Sequence, residues 1–270
     1  MKTRIITAFF IVVILAVAVF RLPKIVMALL VAAMAAVAAY ELLHRTGLVK
    51  QRRLVAYSMV MAFLVELWCF YDMPYVWTMI GALAFTTALF GEMLICHNTF
   101  PFCEIAYCYI SGMILPLLLG SLVRIHNHPL GEYEIAIPFV LAFASDTGAY
   151  FAGSFFGKHK LAPVISPKKT VEGMVGGTVF TVLCMAVYGL IMEFGFHRVV
   201  HYPAALVYGL IGSVSAVFGD LCFSAVKRQT GIKDYGNLFP GHGGILDRFD
   251  SMMIVAPLVE LLLMILPVLE

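Results

Sequence analysis

Charged residues are scarce in this sequence: Asp, Glu, Lys and Arg make up 13% of the 270 residues, against roughly a quarter in a typical soluble domain. A chain with so few charges cannot cover a globular surface with groups that water solvates well. Hydrophobic residues make up 62% of the chain, and the mean hydropathy is +0.95. These values exclude an ordinary soluble domain and predict a polytopic membrane protein.

The absence of several sequence motifs excludes further classes of protein. The six cysteines form no CxxC pair and most lie within apolar runs, so we expect reduced buried thiols rather than a disulfide framework or a zinc site. The phosphate loop pattern GxxxxGK[ST] is missing. The sequence has no internal repeat of the kind that builds many transporters, which argues against a cation or phosphate transporter.

Apolar runs long enough to cross a hydrocarbon core of roughly 30 Å recur along the chain. The first follows Lys2 and Arg4, as a signal peptide would, but it ends at Arg21 without a small-residue cleavage pattern, so we interpret it as a span. The predicted fold class is an all-α integral membrane protein with about nine transmembrane helices. They lie at about 5–20, 24–43, 54–71, 74–95, 102–123, 134–156, 171–194, 203–223 and 250–269.

The distribution of cations predicts how these spans are oriented. With nine spans the termini lie on opposite sides of the membrane, and of 18 Lys and Arg residues only Arg21, Lys24, Arg124 and Arg198 fall on the side of the C-terminus. The positive-inside rule then places the N-terminus in the cytoplasm and the C-terminus outside. We expect five spans in residues 1–130 and a catalytic region of four spans in residues 131–270.

Carboxylates inside the predicted spans are the first functional signal, because hydrocarbon penalises ionisable groups. Asp146 lies near the middle of span six, Asp220 lies near the end of span eight, and Asp247 and Asp250 open span nine. We place Ser224 on the same helical face as Asp220, and Asp247 on the same face as Asp250. Hard oxygen ligands at this density suit Mg²⁺. The alternative is an interhelical ion pair of Asp220 or Asp247 with Lys227 or Arg248.

A cationic, glycine-rich segment is the second signal. It runs from Ser166 through Lys168, Lys169 and Thr170 to Gly173, at the start of span seven. Free backbone N–H groups and the helix dipole at such a terminus favour an anion, so the two lysines are candidates for phosphate binding. The alternative is that they act only as topology signals.

The third signal is the loop from Lys233 to Gly244. Its glycines around His242 let the backbone approach a ligand closely, which a plain connection would not need. His242 either contacts a phosphate or caps span nine.

Together these residues resemble one family. The run Ser224-Ala-Val-Lys227-Arg228, then Lys233-Asp234, then His242-Gly243-Gly244-Ile-Leu-Asp247-Arg248-Phe-Asp250 resembles the sequence pattern of the phosphatidate cytidylyltransferases. The segment from Asp146 to Gly173 also resembles that family. The close resemblance covers roughly residues 135 to 270, and the first 130 residues are similar only in hydrophobic pattern.

The resemblance implies a Mg²⁺-dependent reaction of CTP with phosphatidic acid at the cytoplasmic face of the cell membrane, with the identity of a second cation left open. It implies a homodimer surrounded by membrane lipid, and no nucleic acid partner. The rival activities are those of a CDP-archaeol synthase or a polyprenol kinase. The metal ligands implied are Asp220 and Asp247. The expected catalytic residues are Asp220, Asp247, Lys227, Arg228, Arg248 and Asp146, and the expected substrate-binding residues are Lys168, Lys169, Ser166, Ser224, Lys233, Asp234, His242, Gly243, Gly244 and Asp250.

Overall fold

A computed structural model describes residues 22–96, 101–238 and 243–270. Among these residues, seven helices are long and apolar enough to cross a membrane. They are α1 Lys24–Arg45, α2 Arg52–Tyr71, α3 Tyr75–Ile95, α4 Phe102–Asn127, α5 Gly131–Phe156, α6 Val171–Gly195 and α7 Tyr202–Gln229. Three of them include π-helical segments, which are Glu41–Arg45, Ile110–Ile114 and Ile191–Gly195.

These seven helices agree with seven of the predicted spans to within a few residues at most ends. The predicted span 5–20 lies outside the described residues. Where one helix was expected over 250–269, the structure has the shorter helix α9 Met252–Ile265. A four-residue helix, α8 Leu246–Phe249, precedes that range. The chain turns at Asp250 and Ser251 between them. The interpretation that Asp247 and Asp250 share one helical face is therefore wrong.

The all-α prediction also missed a small β-hairpin. Strand β1, Lys160–Ala162, pairs antiparallel with β2, Ser166–Thr170, so that Lys160 lies opposite Thr170. The sequence was interpreted as a loop there. β2 leads directly into α6, and the hairpin therefore presents its two lysines at the start of that helix.

The chain forms two compact units. Unit 1 comprises Met1–Asn127 and Gln229–Phe249, and unit 2 comprises His128–Arg228 and Asp250–Glu270. In unit 1, α1 and α2 pack extensively against each other. Buried apolar side chains, among them Leu43, Leu54, Val65 and Leu89, form its core.

Unit 2 is organised around the pair α5 and α6. The two helices approach so closely that a Cβ atom on Gly177 would lie 2.8 Å from the backbone oxygen of Ser145, and one on Gly173 would lie 2.9 Å from that of Ala149. Between membrane helices, such small residues allow close backbone packing. Helix α9 packs on α5, and the C-terminal residues pair with the segment before α7 through a bridge between Val200 and Leu269.

Candidate active site

The base of the hairpin is fastened to the first turn of α6. The Oε2 atom of Glu172 accepts hydrogen bonds from the backbone N–H groups of Lys158 and His159, both at 3.1 Å. The Nδ1 atom of His159 lies 2.5 Å from Oε1 of the same carboxylate. Thr170 caps α6 by accepting a hydrogen bond from the N–H of Gly173 at 3.1 Å. The position of the lysines on β2 is thus set by local capping.

A cavity of about 190 Å³ lies beside this hairpin within unit 2. Its polar lining includes Asp146 from α5 and Lys168 and Lys169 from β2. Two ammonium groups near a helix N-terminus favour an anionic ligand. The structure thus brings together three residues that the sequence had assigned to two separate signals.

A charged contact of Lys169, which lines this cavity, joins β2 to α7. The Nζ atom of Lys169 lies 2.5 Å from Oδ2 of Asp220, and the two side chains are 22% and 26% exposed. Asp220 also accepts a hydrogen bond from Ser224 Oγ at 3.1 Å. The expectation that Asp220 and Ser224 share a helical face is confirmed. Asp220 forms an ion pair with Lys169, a partner that the sequence alternative did not name.

A further carboxylate crowds the same region. Asp250 lies before α9 begins and outside the seven long helices. Its carboxylate interacts with the charges of Asp220, Lys227 and Asp146, and its Oδ1 accepts a hydrogen bond from the N–H of Ser251 at 2.8 Å. A Cβ on Gly219 would lie 2.9 Å from the backbone oxygen of Asp250, so only glycine lets the two segments approach this closely. The anionic charge gathered here favours binding of a cation.

Arg228 holds the far end of the hairpin. Its Nε donates to the backbone oxygen of Ile165 at 3.2 Å, next to Ser166 at the start of β2. Lys227, one residue earlier, is 9% exposed. The two neighbours therefore differ, because Lys227 is buried whereas the exposed Arg228 supports the hairpin backbone.

In unit 1, the loop that precedes α8 is built around Asp247. Its Oδ2 accepts hydrogen bonds from the N–H groups of Tyr235 at 2.7 Å and Gly244 at 3.0 Å, and the residue is 7% exposed. Gly243 has φ +86°, a conformation that favours glycine. Lys233, Asp234 and Arg248 are exposed. His242 lies outside the described residues.

Sequence reasoning missed one residue of this loop's surroundings. Glu41, at the end of α1, is 3% exposed, and its two carboxylate oxygens accept hydrogen bonds from Ile245 N at 3.1 Å and Leu246 N at 2.9 Å. The signal available in the sequence was an acidic residue at the end of an apolar run.

The described residues contain no group of three or more His, Cys, Asp or Glu side chains arranged as a ready-made metal site. That finding is compatible with Mg²⁺, which is usually held by one or two carboxylates and completes its coordination with water and substrate phosphate. In unit 2, Asp220 with its neighbour Asp250 provides hard oxygen donors of this kind. The donor set fits the cation that the family resemblance implies.

Comparison with known proteins points to the same chemistry. Residues 2–266 match the cytidylyltransferase family. The phosphatidate cytidylyltransferase of Bacillus subtilis is 35% identical over 246 residues, 89% of each chain. Those of Staphylococcus saprophyticus and Staphylococcus aureus are 39% and 36% identical over 181 residues, 67% of each chain. The chain belongs to the cytidylyltransferase family.

Proposed function

We propose that this chain is a phosphatidate cytidylyltransferase that converts CTP and phosphatidic acid to CDP-diacylglycerol and pyrophosphate. A phosphatidate oxygen attacks the α-phosphorus of CTP and forms the new P–O bond, while the bond to the β-phosphate breaks and pyrophosphate leaves. Because the nucleophile is already an anion, catalysis consists mainly of positioning and charge neutralisation. The observation that carries the proposal is the cavity where two lysines meet Asp146, beside the Lys169–Asp220 contact.

The lysines of β2 are proposed to bind phosphate. Lys168 is exposed, and Lys169 is partly buried against Asp220. Ammonium groups form strong, charge-assisted hydrogen bonds with phosphate oxygens. The hairpin, held by Glu172 at its base and Arg228 at its far end, fixes where these groups stand. Proposed further phosphate contacts are Lys227, Arg228 and Arg248.

The carboxylates are proposed to bind Mg²⁺. Asp220 is the ligand that the geometry of unit 2 supports, with Ser224 orienting its carboxylate. When bound, the metal would supply a positive charge that stabilises phosphate oxygens in the transition state. The assignment of Asp247 to metal binding stays a prediction from the sequence pattern, as do substrate contacts by Ser166, Lys233, Asp234, His242, Gly243 and Gly244.

Purified protein should be assayed with labelled CTP, Mg²⁺ and one of three lipid acceptors in detergent. Phosphatidic acid should give CDP-diacylglycerol and pyrophosphate in equal amounts, and removal of Mg²⁺ with a chelator should stop the reaction. Faster turnover of an archaeal ether-lipid acceptor would favour a CDP-archaeol synthase. Faster transfer of the γ-phosphate to a polyprenol would favour a kinase and contradict the proposal.

The proposed topology keeps nine crossings, with the N-terminus and the active site on the cytoplasmic side and a homodimer as the assembly. Its support is the bias of cations between loops. Cysteines that replace Lys50, His159 and Gln229 should be shielded from an impermeant thiol reagent in intact cells, while one that replaces His128 should react. Equal labelling at 128 and 159 would contradict the orientation. A C-terminal tag accessible only from the cytoplasm would contradict a crossing by α9.

A further inference from the structure

Glu41 joins two parts of unit 1 that lie far apart in the chain. It accepts hydrogen bonds from the N–H groups of Ile245 and Leu246, 204 and 205 residues away, at 3.1 and 2.9 Å. It lies at the start of the π-helical turn that ends α1, and π-helical turns are frequent at functional sites. A carboxylate that is 3% exposed at the end of an apolar helix is costly to place there. Its two hydrogen bonds to the backbone offset part of that cost.

The loop is shaped around this carboxylate. A Cβ atom on Gly236 or on Gly244 would collide with the carboxylate of Glu41. Neither glycine has a positive φ, so what a side chain at either position would disturb is the placement of the Glu41 carboxylate. Two separate points of the loop thus lie against the same side chain.

Asp247 completes the arrangement. Its Oδ2 accepts the N–H of Gly244, and Glu41 accepts those of the next two residues, Ile245 and Leu246. Asp247 also accepts the N–H of Tyr235 at 2.7 Å. Three successive amides are therefore divided between two carboxylates, and the orientation of Asp247 depends on where Glu41 holds the backbone.

We infer that Glu41 is a positioning residue for the transfer reaction: it holds the backbone of Ile245 and Leu246 in the conformation that presents Asp247. The inference rests on the proposed function, in which Asp247 takes part in catalysis. It gives the N-terminal helices a role in the chemistry, because the carboxylate that holds the loop comes from α1. Glu41 itself touches neither substrate nor the reacting atoms in this scheme.

The test is Glu41→Gln, which keeps the shape of the side chain but replaces one accepting oxygen with an NH₂ group that faces a backbone N–H. Hydrogen exchange should be measured on the peptide that covers 235–247, together with thermal stability and steady-state kinetics. We expect exchange there to quicken at least about tenfold while other peptides stay unchanged. The kcat should fall about 10- to 100-fold, as for other supporting partners of functional groups, with little change in the KM for CTP.

Glu92→Gln is the matched control. Glu92 is a second buried carboxylate of unit 1, and it accepts a hydrogen bond from the hydroxyl of Tyr57 at 3.0 Å. This variant should leave both exchange at 235–247 and kcat unchanged. Glu41→Asp, which keeps the charge on a shorter side chain, should give intermediate values and remains informative if Glu41→Gln does not fold.

The outcomes separate the two proposals. An inactive wild-type protein would defeat the proposed function, while the exchange data would still show whether Glu41 holds the loop. If the wild type is active and the Glu41→Gln variant shows faster exchange in the loop without a lower kcat, the positioning role is overturned. If Glu41→Gln and Glu92→Gln lower kcat equally, with exchange faster throughout the protein in both variants, the positioning role is also overturned, because that pattern marks a general loss of stability.

Discussion

Asp220 in unit 2 and the carboxylates of Glu41 and Asp247 in unit 1 have different kinds of partner. In unit 2, Asp220 faces a side-chain cation, Lys169, and both groups are about a quarter exposed. In unit 1, Glu41 and Asp247 are almost fully buried and accept hydrogen bonds from backbone amides. A side-chain ion pair that is partly exposed can exchange partners at small cost, whereas backbone amides are fixed by the fold. The comparison indicates an exchangeable site in unit 2 and a fixed support in unit 1.

The largest expected effect is on the exchangeable carboxylate. Asp220→Asn should lower kcat/KM about a thousandfold, or ~4 kcal/mol, because it removes the hard anionic ligand proposed for Mg²⁺. The variant should remain folded, as judged by gel filtration in detergent and by thermal unfolding. Residual activity should need more Mg²⁺ than the wild type.

Glu132→Gln is the control for that loss of charge. Glu132 is an exposed acid of unit 2 that plays no part in the proposed chemistry, so its variant should keep wild-type activity. Near-normal turnover of Asp220→Asn at limiting Mg²⁺ would remove Asp220 from the metal site and leave its contact with Lys169 as a structural ion pair.

A smaller effect is expected at the hairpin that carries the lysines. Glu172→Gln weakens three contacts to Lys158 and His159, so the lysines of β2 should lose part of their fixed geometry. We expect the KM for CTP to rise about tenfold with a lesser change in kcat, measured by steady-state kinetics at saturating phosphatidate. An unchanged KM would mean that the hairpin does not position the nucleotide.

The smallest expected effect concerns the helix pair beneath the cavity. Gly177→Ala places a Cβ 2.8 Å from the backbone oxygen of Ser145 and should destabilise the protein by about 1–3 kcal/mol. Gly91→Ala is the matched control: Gly91 also lies in a helix, and its new Cβ would meet nothing within 4 Å. The midpoint of thermal unfolding, measured for both variants in the same detergent, should be lower for Gly177→Ala than for Gly91→Ala. Equal stability of both variants would contradict the close approach of α5 and α6.

The positions of the long helices could be predicted from the sequence because hydrocarbon selects long apolar runs, and Tyr75–Ile95 and Val171–Gly195 show how close the prediction came. The same rule was less exact at the predicted span 250–269, where the helix covers only Met252–Ile265. Asp250 and Ser251 lie in a turn before it, and hydrophobicity alone does not report such a turn.

The site was predicted in part. Asp146, Lys168 and Lys169, which the sequence had singled out, line one cavity. The contact of Asp220 with Lys169 was not predicted, because a contact between β2 and α7 depends on tertiary packing. The hairpin gave little signal, since β2 has only five residues and contains Pro167. Glu41 was missed because His44 and Arg45 follow it and make the end of α1 resemble a solvated flank.

The most direct measurement of the central claim is a two-way titration of CTP and Mg²⁺ for Lys168→Ala, Lys169→Ala and Asp220→Asn. If the lysines bind nucleotide phosphate and Asp220 binds the metal, at least one lysine variant should lose about tenfold or more in kcat/KM for CTP, and added Mg²⁺ should not restore it. Added Mg²⁺ should instead recover part of the residual activity of Asp220→Asn. Wild-type kcat/KM for CTP in both lysine variants at every Mg²⁺ concentration would contradict the account.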